Sequence, residues 1–457
     1  MESASIIAVL LQWLYGPWMM LGFLLVGLYL SLRLGFLQFS QLGTVLRETL
    51  GSIRERAMGF GGQISPFQAA MIGASGVVGN GHLVGMVSAV LVGGAGAVFW
   101  MWVGYLFGAA TKFAEATLAV HFRRQYPDGT VSGGPTFYIS RGLGAGWRWL
   151  AVLFGLFAAI SAFGIGNAYQ AVAVGGVLAG AYQVPPAITG LLLALLVAFI
   201  LGGGVVRVGA VAQWLLPLKL VLFLVAIVPL LLVYGSQLSQ VLWQIFSSAF
   251  DLQAAAGGAV GLSTSKLVDA FSAGMGRGIF ANEAGQGSTP FAHAQAQVDH
   301  PVRQGFWGVT EILISGTVTT LMALTFLASG LASSFQGQSA GAAFVGLFQA
   351  HPLGAGLASV LIAIFALGTM ITWGFYGEEA ATFVFGEGIR WPYRLTYSVL
   401  AFLAPLGGLE ALQSLSDTLV GLQALPNLLA LVLLSPLVVR LVQDFFRGEP
   451  WRPPEDR

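Results

Sequence analysis

The 457-residue chain contains no cysteine. Disulfide scaffolds, thiolate metal sites and cysteine nucleophiles are therefore excluded, and no signature of redox compartment is left. Charge is scarce as well. Asp, Glu, Lys and Arg make up 9% of residues, about a third of the usual share, too little to cover the surface of a soluble protein of this length. The 20 basic and 19 acidic residues nearly cancel, which says nothing about partners, and no stretch resembles a basic nucleic-acid patch. Walker and HExxH motifs are missing, which argues against a nucleotide-driven pump and a zinc hydrolase. What the chain has instead is apolar length. Hydrophobic residues are 56% of the total, and uncharged stretches run over Ser3–Leu32, Ala57–Thr111, Trp149–Val206 and Ile312–Gly377. A spanning helix takes about 20 such residues, and continuous runs exclude the alternating pattern of a membrane β-barrel.

The fold class read from this pattern is all-α integral membrane, with about eleven spans. They fall near residues 6–32, 64–92, 96–121, 148–180, 184–205, 209–234, 267–294, 304–331, 355–377, 391–407 and 418–443. The first stretch lacks a basic start and a small-residue cleavage pattern, so it reads as a retained helix. Arginines cluster in alternate loops: Arg33, Arg47, Arg54 and Arg56 after the first span, Arg123, Arg124, Arg141 and Arg148 after the third, and Arg207 after the fifth. Arg303, then Arg390 and Arg394, then Arg440, Arg447 and Arg452 continue the alternation. The positive-inside rule then puts the N-terminus outside and the C-terminus in the cytoplasm, in a multi-pass plasma-membrane protein. The lipid bilayer is the expected partner, and oligomeric state leaves no mark in the sequence.

Two spans are interrupted in a matched way. The second carries Gly73-Ala-Ser-Gly76-Val-Val-Gly79-Asn80-Gly81-His82-Leu-Val-Gly85, and the seventh carries Gly274-Met-Gly276-Arg277-Gly278-Ile-Phe-Ala-Asn282-Glu283-Ala-Gly285-Gln-Gly287-Ser288. With the first helix set aside, each opens a run of five spans. Glycine-interrupted helices at corresponding places in two halves point to a transporter's midplane site. Unwinding frees backbone groups that cannot face lipid. A half-helix N-terminus suits a carboxylate and freed carbonyls suit an ammonium or a cation. Glycine also serves simple close packing, which is the reading for Gly104 and Gly108.

The chain resembles the alanine or glycine:cation symporter family of the amino acid-polyamine-organocation superfamily. The resemblance rests on Gly93-Gly94-Ala95-Gly96-Ala97-Val98-Phe99-Trp100-Met101-Trp102, on Arg277-Gly278 through Gly285, and on His300-Pro301-Val302-Arg303-Gln304-Gly305. Thr111-Lys112-Phe113-Ala114-Glu115, Ser132-Gly133-Gly134-Pro135, and Phe365-Ala366 with Thr369, Trp373, Tyr376, Gly377 and Glu378 add to it. It implies a leucine-transporter-type fold, a 5+5 inverted repeat with one extra N-terminal helix. The expected division is 1–60 for that helix and its connector, 61–234 and 267–443 for the repeats, 235–266 for an outer loop and 444–457 for a tail. It further implies import of a small amino acid such as alanine or glycine, usually with sodium, and neither a catalytic residue nor a cofactor.

The departures from the family pattern are specific. The family's usual Gly-Thr-Gly-Asn reads Gly79-Asn80-Gly81-His82 here, which places a histidine at a helix break. Lys219 stands in the sixth span where the family is usually apolar. It lies about ten residues into the helix, or about 15 Å, too deep for easy snorkelling to an interface. The Ser-Thr pair that completes a sodium site on core helix eight reads Gly368-Thr369, and Ser315 replaces an acidic residue. In some sodium-independent members of the wider superfamily, a lysine on this helix takes the place of the ion. Together these changes suggest that Lys219 replaces sodium, held by Thr369 and carbonyls near Gly76, so that the coupling ion is H+ rather than Na+, or there is none. Ordinary sodium symport is the alternative.

For the substrate, Gly79, Asn80, Gly81 and His82 are the expected carboxylate-binding turn. Gln170, Thr369 and Trp373 match the family's pocket face, carbonyls near Gly274 are expected to take the amino group, and Ala273 replaces a phenylalanine. Arg277 and Glu283 read as a structural pair. Lys112 and Glu115 read as interfacial, and Glu311 as isolated, facing either Lys219 or the inner end. No metal site is expected. A channel is the rival from another class; it lacks support because no repeated filter motif is present.

Overall fold

The computed structural model describes residues 6–54, 62–250, 260–351, 353–354 and 356–454. Arg56 and residues 251–259 of the expected outer loop lie outside them. Thirteen helices carry the architecture among the described residues. They are α1 (Pro17–Arg33), α2 (Pro66–Val77), α3 (Asn80–Gly93), α4 (Gly96–His121), α5 (Arg148–Ser161), α6 (Tyr169–Tyr182) and α7 (Pro186–Gly202). Then follow α8 (Gly204–Tyr234), α9 (Val260–Phe280), α10 (Pro301–Ala328), α11 (Gly356–Phe385), α12 (Arg390–Leu403) and α13 (Glu410–Phe446). A two-stranded hairpin, β1 (Arg124–Gln125) with antiparallel β2 (Val131–Ser132), lies between α4 and α5. Most expected spans fall on one of these helices, whereas 64–92 covers α2 and α3, 148–180 covers α5 and α6, and 267–294 runs from α9 through the irregular stretch that follows it. Among the described residues, seven helical segments are long and apolar enough to cross a membrane, Gly204–Ala249 and Gly356–Phe385 among them.

The distribution of side chains is that of a membrane protein. Ile188, Leu191, Leu192, Leu195 and Phe199 on α7, and Trp214, Leu218 and Val221 on α8, face outward. The charged and amide groups Lys112, Glu115, Lys219, Glu283, Glu311, Gln423 and Asn427 are buried inside. Ionisable groups within a bilayer are costly unless they face the bundle interior and find partners.

The interior is assembled around two interrupted helices. The first starts with Pro66 behind Ser65, whose hydroxyl caps the Gln68 N–H while the Gln68 side chain returns to the Ser65 N–H, a capping box that fixes its entry. The second passes through α9, an irregular stretch over 281–289, and a short helix at Pro290–His293. α4 packs along α9 and α10, α2 lies against α8 and α11, and α9 also touches α3. Close approach is bought with small residues: a Cβ on Gly104 would lie 3.2 Å from Gly278 Cα, and one on Gly108 3.2 Å from Ala284 Cβ. These two glycines are packing positions.

Candidate functional site

The first helix breaks because Val78 (ψ 72°) and Gly79 (φ −114°, ψ −167°) leave helical geometry between α2 and α3. Glycine at 76 and 79 is required by close approach. A Cβ on Gly76 would sit 2.7 Å from Thr372 Oγ1, and one on Gly79 would collide with the Thr369 hydroxyl, both on α11. A broken helix must find partners for the groups it frees, and here each carbonyl can be followed. Ala74 O accepts from the Val78 N–H at 2.8 Å, Val77 O from the Gly79 N–H at 2.7 Å, and Gly79 O from the His82 N–H at 3.1 Å. The Thr369 hydroxyl donates to Gly76 O at 3.2 Å. The remaining two, Ser75 O and Val78 O, both accept from Lys219 Nζ at 3.0 Å.

Lys219 is fully buried, its ammonium set 5.5 Å from the centre of the Phe365 ring. It has no carboxylate partner among the described residues. Gly368 makes room for it, since a Cβ there would overlap Nζ. Two carbonyls and an aromatic face thus surround one positive charge between α2, α8 and α11, with Ser75 Oγ close by. The ammonium donates to Ser75 O and Val78 O rather than to Thr369, whose hydroxyl donates to Gly76 O. Lys219, Gly76, Gly368 and Thr369 lie together at this break.

On the other side of the break, α3 starts without a side-chain cap, so the N–H groups of Asn80 and Gly81 face the gap. Asn80 Nδ2 donates to Gln170 Oε1 at 3.2 Å. His82 Nε2 lies 3.2 Å from Asn282 Oδ1 in the second interrupted helix. Asn282 Nδ2 donates to Gly278 O at 2.6 Å, and the Ser315 hydroxyl donates to Asn282 Oδ1. Gly79, Asn80, Gly81, His82, Gln170, Thr369 and Trp373 therefore cluster where the two interrupted helices meet.

Four expectations are corrected. The second break opens at 281–289, within the glycine-rich run, while the Gly274 carbonyl lies inside the unbroken α9 and is not freed for an amino group. Gly274 packs against Ala97 and Trp100 of α4, and Ala273 against Gly93 of α3, so neither belongs to the cluster. Arg277 and Glu283 do not pair. Glu283, held at φ +54°, accepts from Trp373 Nε1 at 2.8 Å and from the Ser288 hydroxyl, while Arg277 is exposed and makes no ion pair among the described residues. Lys112 and Glu115 are buried rather than interfacial. Glu311 is not isolated: it meets Lys112 Nζ at 3.0 Å and His293 Nε2 at 3.0 Å, which removes it as a partner for Lys219.

The structure also adds two side chains not singled out in the sequence, Gln423 and Asn427, beside Glu115. Asn427 and Gln423 of α13 donate to Gly285 O at 2.9 Å and Gln286 O at 3.1 Å, and Glu115 Oε1 accepts the Gly287 N–H at 3.0 Å. These side chains serve the second break. Two amides one turn apart in an apolar helix were the available signal.

A model of the sodium:alanine symporter family matches residues 1–451. The sodium/alanine symporter AgcS of Methanococcus maripaludis is 35% identical over 454 residues, covering 97% of this chain and 98% of that protein. An uncharacterized transporter of Haemophilus influenzae is also 35% identical over 454 residues, covering 98% and 97%. Among solved structures, MhsT in complex with L-phenylalanine shares the fold at a TM-score of 0.54 and 12% identity, covering 84% of this chain and 99% of that one. The architecture is the leucine-transporter type.

Proposed function

This chain belongs to the sodium:alanine symporter family, a family of transporters rather than enzymes, and we propose that it imports a small neutral amino acid by alternating access with Lys219 in the place of a sodium ion. The substrate is alanine- or glycine-like, its carboxylate on the Asn80 and Gly81 N–H groups. The single observation that carries the ion assignment is the carbonyl account at the first break. Ser75 O and Val78 O, the two carbonyls that no other protein group uses, both hold the Lys219 ammonium. Sodium would need those oxygens and a second hydroxyl where Gly368 stands. An ammonium carries a removable proton where sodium has none, so coupling is to protons, or transport is an ion-independent exchange.

The reading places the repeats at 61–234 and 267–443 in a plasma-membrane protein. Its N-terminus is outside and its C-terminus cytoplasmic, as the alternating arginine-rich loops require. Sodium symport is the second reading, favoured by the similarity to the sodium/alanine symporter AgcS. Uptake of labelled alanine and glycine into proteoliposomes, under separate sodium and proton gradients, decides between them. Proton-driven or exchange uptake that ignores sodium and is lost in Lys219→Ala is the expected result. Sodium-driven uptake that survives Lys219→Ala refutes the substitution.

A further inference from the structure

A cavity of about 670 Å³ opens where α4 runs into the β hairpin, and no residue of either helix break lines it. Its walls are basic. They come from His121 at the end of α4, Arg123 and Arg124 at the hairpin, Arg141, and His300 and Arg303 at the start of α10. The tail after α13 closes one side: Trp451 Nε1 donates to His121 Nδ1 at 3.0 Å, and the Arg123 guanidinium lies over the same indole. Four arginines face two carboxylates in the lining, Asp299 and Glu449. Asp299 is tied to Arg303 Nε at 2.8 Å, and Glu449 lies 3.9 Å from Arg447, outside the lining.

The hydrogen-bond inventory is one-sided in the same sense. The Val302 N–H donates to His300 Nδ1 at 3.2 Å, as the Trp451 indole does to His121 Nδ1. Each ring therefore accepts on Nδ1 and carries its hydrogen on Nε2. His300 Nε2 is buried without a partner, in a residue 5% exposed. Arg124 makes no hydrogen bond or ion pair among the described residues and only lies 5.0 Å over the Tyr126 ring. Backbone carbonyls anchor the neighbouring guanidinium groups: Arg123 donates to Ala294 O and Ala296 O, and Arg141 to Phe122 O.

A cavity with surplus donors and surplus positive charge calls for an anion. This one is far roomier than a halide needs. Guanidinium forks match phosphate oxygens, and anionic headgroups lie on the cytoplasmic face, to which the arginine-rich loops assign this end of the bundle. We propose that the cavity binds a phosphate group, that of an anionic glycerophospholipid or of a free phosphate ester, gripped by Arg124 and the His300 Nε2–H between the anchored Arg123 and Arg141. Arg123 also holds Ala296 O, and Ala296 forms a backbone bridge with Ile64, just ahead of α2. The occupied site thus ties together segments that precede the first break and follow the second, and binding reads out as stabilisation.

The test is thermal unfolding of the detergent-purified full chain, titrated with phosphatidylglycerol, phosphatidylcholine, inorganic phosphate and glycerol phosphate at constant ionic strength. A saturable rise in the midpoint is expected with phosphatidylglycerol or with a free phosphate, and none with phosphatidylcholine. Saturation by the lipid alone identifies a headgroup site, and saturation by a free phosphate identifies a soluble ligand; either supports the proposal. In Arg124→Gln the half-saturating concentration should rise at least about tenfold, the equivalent of one hydrogen bond to a charged group. Arg33→Gln removes the same charge from another arginine-bearing loop and should change it by less than about twofold. Absence of saturable stabilisation by any of the three anions overturns the proposal, as does an equal effect of phosphatidylcholine. Equal weakening in Arg124→Gln and Arg33→Gln also overturns it, since that would show a diffuse surface potential and no built site. Arg124 is exposed, and the wild-type titrations decide the matter even without its variant.

Discussion

An alanine at position 368 tests the seating of Lys219 without removing either of its hydrogen bonds. The added Cβ would overlap the lysine Nζ and lie 2.6 Å from Ser75 Oγ. The ammonium cannot step aside freely, because Ser75 O and Val78 O hold it from α2. Overpacking of a tight interior costs about 1–3 kcal/mol, and each strained bond to a charged group puts part of about 1.5–3 kcal/mol at risk. Gly368→Ala alone should therefore destabilise the protein by about 3 kcal/mol. With Lys219→Ala the overlapping atoms are gone. The same substitution then adds only a helix-favouring methyl within α11, worth up to about 1 kcal/mol in the opposite direction. The double-mutant cycle should show a coupling of at least about 2 kcal/mol, read as thermal unfolding of the four detergent-purified proteins. Gly368→Ala should lower the midpoint in the wild-type background and leave it level or raised in Lys219→Ala. A drop of the same size in both backgrounds would show that the two side chains do not share the space, and would refute the reasoning. A functional arm follows, in which Lys219→Ala with Gly368→Ser restores a second hydroxyl beside Thr369 and frees both carbonyls. Uptake by that double variant should become sodium-dependent.

Two further outcomes follow from the buried charges. Removing one member of the Lys112–Glu311 contact, as in Glu311→Gln, should cost about 3–5 kcal/mol, because an uncompensated ammonium remains inside. Lys112→Met with Glu311→Leu should recover most of that loss, and equal instability of single and double variants in a thermal unfolding series would contradict it. Trp373→Phe removes the indole donor from Glu283 across the interface of α11 and the second break. Uptake rate should fall several-fold while folding, followed by size-exclusion behaviour, is kept; an unchanged rate would show that this contact has no part in transport.

Much of this was legible along the chain, for reasons that are local. Hydropathy places the helices because a bilayer requires some twenty apolar residues per crossing whatever the neighbours do. The glycine runs at 73–85 and 274–287 mark two interrupted helices because few other residues allow helix backbones to open and approach so closely. Even Lys219 and Gly368 could be paired by inspection, since a new ammonium and a missing hydroxyl are both visible as letters.

What the sequence left undetermined is which partner each polar group takes. Arg277 and Glu283 are six residues apart and opposite in charge, yet Glu283 sits at a left-handed backbone position that directs it to Trp373, ninety residues away in the chain. Glu311 looked solitary because Lys112 and His293 reach it only through the packing of α4 and the second break against α10. The exact residues of the second break and the hydrogen bond from Asn80 to Gln170 are likewise decided in three dimensions. Hydrophobic length is a property of a segment and is written in it. Hydrogen-bond satisfaction is a property of neighbours, and neighbours exist only once the helices have packed.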